Sequence, residues 1–178
     1  MPTFTTDLWE TIAAEAGRES ELWTAALRPR EEQERAVVFS PLGQDRYALG
    51  IETIYEGYLL HYGRPRVFAP EDEHTALLLG DYLYAHGLVR IEQGGNVDAV
   101  NDLAELIALC AYLRAEEIAG DGAAWAATAA FLGERRLNEG RSSLRLDSDP
   151  GPLERLARAH AGDDWVDRAL AAHRERLR

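Results

Sequence analysis

Glu52 and Glu56 stand one turn apart in a stretch of helical periodicity. With Asp81 further along, they form a carboxylate set that could hold a hard cation such as Mg²⁺, which takes carboxylate oxygens and water. The plainer expectation for the two glutamates is a solvated acidic stripe or pairing with nearby arginines. Arg64 and Arg66 flank Pro65 and could grip a phosphate, or else pair on the surface with Glu71, Asp72 and Glu73. Tyr55, Tyr58 and Tyr84 could line a slot for an apolar ligand, and they serve equally as core and rim aromatics. His61, His74 and His86 offer no pair at the four-residue spacing that two metal-ligating histidines on one helix need. Cys110 falls on an apolar helix face and reads as a small core residue. No nucleophile elbow, Ser-His-Asp spacing or phosphate loop occurs.

The elements that must position these groups lie between Gly50 and Ile91. Ile51, Ile54, Tyr55, Tyr58 and Leu59 recur at helical spacing, and Gly63 and Pro65 end that helix. A second helix opens at Pro70-Glu71-Asp72-Glu73, a proline followed by carboxylates where the helix dipole favours them. Ala76, Leu77, Leu79, Gly80, Leu83, Tyr84 and Leu88 give it a broad apolar face. A short connection makes the two antiparallel neighbours, with Val97 to Ile118 packed against them.

This region resembles the trans-isoprenyl diphosphate synthases, the polyprenyl synthetase family. Glu52-Thr53-Ile54-Tyr55 and Leu59-Leu60-His61 are similar to the family's E-x-I-H-x-x-x-L-L-H helix. Gly63-Arg64-Pro65 is similar to its G-x-P, and the run from Ala76 to Tyr84 to its A-x-L-x-G-D-x-L helix. More weakly, Glu116-Glu117 resembles a Gly-Glu pair, and Ala127 to Leu132 resembles K-T-A-x-L-F with Ala127 in the lysine's place. The similarity spans about Gly50 to Gly133. Only Tyr62 stands where the first aspartate motif and its arginine pair belong. A second alignment, matching fewer residues, puts Glu52, Thr53 and Glu56 on the aspartates, and His61 and Tyr62 on the arginines.

The resemblance implies an isoprenoid-synthase-like helical fold without the catalytic carboxylates. Prenyl transfer must neutralise a departing diphosphate with metal ions, and both aspartate motifs are missing. The expectation is therefore a non-catalytic protein with no cofactor. It would be an accessory or regulatory subunit of a prenyl diphosphate synthase, or an isoprenoid-binding protein. Its partner would be a catalytic prenyl synthase subunit or a second copy of itself. One alternative is a small Mg²⁺-dependent enzyme using Glu52, Glu56 and Asp81. Another is a helical protein-interaction module with no lipid link.

The rest of the chain bounds these readings. At 178 residues it suits one domain. A net charge of −12 argues against a nucleic-acid partner. All 19 basic residues are arginine, which excludes a Schiff-base lysine. The single cysteine excludes an internal disulfide. No apolar run approaches the ~20 residues of a membrane span, and no signal peptide is evident, so a cytoplasmic, bacterial-type protein is expected.

Further helices are expected at Leu8–Ala16 capped by Thr6-Asp7, at Ser20–Leu27, Arg30–Phe39 and Ala123–Arg136, and at Pro152–His160 and Asp163–Leu177. Trp9, Ile12, Leu22, Trp23 and Leu27 are the anchors expected to be buried near the start, and Trp165, Val166, Leu170 and Leu177 form one side of the last helix. Asn138 to Pro152, rich in Gly, Ser, Asp and Pro, reads as a flexible connection. The expected fold class is all-α, a helical bundle with its core in 1–137 and the C-terminal helices of 138–178 in the same domain.

Overall fold

The computed structural model describes residues 7–177 and is all-α. Among the described residues there are nine α-helices and no strand, only isolated bridges between Leu27 and Phe68 and between Gly63 and Leu177. The helices are α1 (Leu8–Glu19), α2 (Glu21–Ala25), α3 (Ala48–Tyr62), α4 (Glu73–Glu92), α5 (Val97–Ala115), α6 (Asp121–Ala130), α7 (Asn138–Asp147), α8 (Gly151–Ala161) and α9 (Asp163–Arg176).

Helices α3 and α4 lie antiparallel along their length, because glycines face each other across the contact. Gly57 meets Gly80, and Gly50 meets Gly87. Each helix thus carries two glycines seven residues apart, and seven residues is close to two turns, so both fall on one face. The other side of α3 is also covered, and every residue from Gly50 to Leu60 is buried. Helix α6 is buried throughout. Its alanines let α5, α8 and α9 pack around it. One core runs from α3 through Trp125 to Leu153 and Val166, and a second joins Trp9, Ile12 and Trp23 to Phe68, Leu79 and Leu83.

The sequence signals for helix starts hold where a side chain can cap. Asp7, Ser20, Asp72 and Asn96 each accept an N–H from the first turn of the helix that follows. Thr6, the other half of the expected first cap, lies outside the described residues.

Several expectations need correcting. Arg30–Phe39 is not helical: a 3₁₀ turn at Arg30–Glu32 leads into extended backbone and a second 3₁₀ turn at Ser40–Leu42. The N–H groups of Val38 and Ser40 and the carbonyl of Ala36 are engaged by buried side chains, which competes with helix formation. Asn138–Pro152 is not a flexible connection, since α7 fills most of it. Leu144 is buried there, and Arg141 donates to Asp102 Oδ1 at 3.0 Å, which ties α7 to α5. Helix α6 stops at Ala130, short of the expected Arg136. Leu22, expected as a buried anchor, is about half exposed, and so is Trp165 on the last helix.

Candidate functional site

Arg66 is fully buried and is the hub of one polar cluster. Its Nη1 donates to Glu52 Oε2 at 2.6 Å and its Nε to Glu56 Oε2 at 2.9 Å. Glu52 Oε1 accepts the N–H groups of Val38 and Ser40, and Glu56 Oε1 accepts those of Arg66 and Val67. The guanidinium lies over the rings of both Trp9 and Tyr55, at 4.4 and 4.9 Å from their centroids. Burial alone would lower the Arg66 pKa, but the two carboxylates outweigh it and hold the charge firmly in place.

This geometry does not fit the Mg²⁺ site that the glutamates suggested. All four carboxylate oxygens of Glu52 and Glu56 are occupied, and the guanidinium already supplies the cation. Asp81 points away on an exposed part of α4, where its Oδ1 lies 3.1 Å from His61 Nε2. Among the described residues no group of three potential ligands is placed to hold a metal. Nor do Arg64 and Arg66 form a phosphate clamp. Arg66 is sealed inside, while Arg64 is exposed and donates to the carbonyl of Glu175 at 3.1 Å.

The three tyrosines do not line an open slot. Tyr55 and Tyr58 are fully buried, and each packs its ring on Trp125 and His173. Tyr84 is partly buried and stacks on His61.

A second polar cluster, with little local signal in the sequence, lies beyond Tyr55. His173 Nδ1 sits 3.0 Å from the Tyr55 hydroxyl, and its Nε2 lies 3.5 Å from Asp121 Oδ1. The Tyr58 hydroxyl donates to Asp121 Oδ2, and Arg114 Nη2 donates to that oxygen at 2.7 Å and to the Tyr58 oxygen at 2.8 Å. Burial would raise the Asp121 pKa, but the His173 imidazole, the Tyr58 hydroxyl and Arg114 together hold it well below the usual carboxylate range. Burial, reinforced by the charge of Asp121, pushes the Tyr58 hydroxyl far up. Burial also raises the Cys110 thiol, which makes it inert packing rather than a nucleophile.

Arg114 and Asp121 look out on a cleft of about 330 Å³, otherwise lined by Leu113, Glu117, Ile118, Ala119 and Leu177. Perturbed groups beside a cleft mark a candidate site. Here, however, the arginine and aspartate satisfy each other, and no nucleophile accompanies them. The partners come from α3, α5, α6 and α9, and Tyr55 and His173 are 118 positions apart. The only local signal was Gly120-Asp121-Gly122, which reads as a turn.

The chain matches no family model, no curated protein and no solved structure.

Proposed function

We propose that the protein is a non-catalytic accessory subunit that acts by binding another protein, the partner being a catalytic prenyl diphosphate synthase. One observation carries the non-catalytic part. Glu52, Glu56 and Arg66 are spent on one another inside the core, so they reach neither metal nor diphosphate. The choice of partner rests on the sequence resemblance. Binding itself is supported by the outward side of α4, where Leu78, Ala85 and Val89 are exposed at spacings of seven and four. Tyr55 and Tyr58 are interior, so the partner meets this α4 stripe instead.

The test mixes the purified chain with the long-chain synthase of the same cell and measures the mass of the eluting species. The expected result is a complex that Leu78→Asp with Val89→Asp disrupts. The chain alone, given Mg²⁺, an allylic primer and isopentenyl diphosphate, makes no product. Product above a no-protein control would sink the non-catalytic reading, and separate elution would sink the choice of partner.

The apolar cleft beside Arg114 favours a second reading, the binding of a short isoprenoid tail against Leu113, Ile118 and Leu177. Such a ligand raises the melting temperature of the native protein, and Ala119→Trp, which fills the cleft, abolishes the rise.

A further inference from the structure

A larger cleft, of about 650 Å³, lies between residues 135–140 and one side of α8. Its polar lining is Arg135, Arg136, Asn138, Glu139 and Arg155, and its apolar wall is Pro152, Leu156 and Ala159. Three guanidinium groups around one cleft stand out in a chain of charge −12. With 31 acidic side chains available, most arginines here find a carboxylate. Arg135 pairs with Asp98 at 2.9 Å. Arg136 and Arg155 are exposed and form no salt bridge or side-chain hydrogen bond among the described residues. Arg136 instead lies over the ring of Phe131, 4.8 Å from its centroid. This differs from Arg114 in the smaller cleft, whose charge Asp121 already neutralises.

We propose that this cleft binds a small phosphorylated compound, with Arg136 and Arg155 on the phosphate and the organic part against Pro152, Leu156 and Ala159. Guanidinium groups offer paired donors that match phosphate oxygens. The apolar wall gives the rest of the ligand something to cover. The chain's overall negative charge opposes approach to an anionic bilayer, which favours a soluble compound over a lipid headgroup.

The experiment measures melting temperature against concentration for inorganic phosphate and for phenyl phosphate, with ionic strength held constant by sodium chloride. The expected result is a saturable rise for both, at lower concentration for phenyl phosphate. Arg136→Gln with Arg155→Gln should remove it, and Arg168→Gln on α9 should leave it intact. Circular dichroism of the double variant confirms that it folds. No rise beyond the sodium chloride control, or an equal rise in the double variant, overturns the site. Pelleting with phosphatidic acid vesicles that depends on Arg136 and Arg155 overturns the assignment to a soluble compound.

Discussion

Gly57 and Gly80 meet backbone to backbone across the α3–α4 contact. A methyl group on Gly57 would lie 2.9 Å from the carbonyl oxygen of Gly80, and one on Gly80 would lie 3.1 Å from that of Gly57. The helices approach this closely only because neither residue has a side chain. Gly57→Ala sets two effects against each other. Alanine favours the helix by about 1 kcal/mol, while forcing packed backbones apart costs about 1–3 kcal/mol or more. The second effect wins, because a carbonyl in a helix cannot swing aside as a side-chain tip can. Chemical denaturation should show net destabilisation, and a midpoint at or above that of the parent would contradict the close contact.

Arg66→Met should be among the most damaging single changes in the protein. It leaves Glu52 and Glu56 buried side by side with no cation between them, a loss of about 3–5 kcal/mol. Arg66→Lys should also be costly, because an ammonium cannot span both carboxylates with a fork of donors while stacking on the Trp9 and Tyr55 rings. Urea unfolding of both variants checks this. A loss under 1 kcal/mol for methionine would mean that the cluster is solvated.

Asp121→Asn should weaken the protein in a pH-dependent way. The carboxylate's pKa in the folded chain is depressed below its ordinary value of 3.8. Its contribution is therefore fully present above about pH 4 and is lost as the pH falls toward the folded value. The difference between variant and parent should be largest near neutral pH and shrink on acidification below about pH 4. Melting curves across pH 2–7 give the comparison, and a gap that widens in acid would reverse the assignment.

Glu117→Gly should stabilise. Glu117 has φ 56°, and Ile118 N–H bonds back to Leu113 O at 2.8 Å, so it sits in the left-handed turn that closes α5. Glycine adopts that conformation without the Cβ clash, worth about 1 kcal/mol after its own entropic cost. The expected rise in melting temperature is about 2–4 °C. A fall would show that the Glu117 side chain contributes something that the backbone alone does not reveal.

Most helices are legible in local sequence patterns. Helical periodicity, capping side chains and Gly/Pro breaks located α3, α4, α5, α8 and α9, because each signal is confined to a few neighbouring residues. The same local reading failed at Arg30–Phe39 and at Asn138–Pro152. In both places the outcome depended on partners far along the chain. Glu52 and Arg66 hold the first segment out of a helix, and Asp102 draws the second into one by binding Arg141.

The roles of the charged groups depend on partners that folding brings together. Glu52 and Glu56 present the same one-turn spacing whether they face solvent, a metal ion or an arginine. Their fate turned on Arg66, which follows the helix by a loop and folds back between them, where burial makes the ion pair obligatory. His173 and Asp121 were likewise ordinary residues in the sequence. They became a coupled pair because α9 returns across the start of α6, a contact that no local pattern encodes.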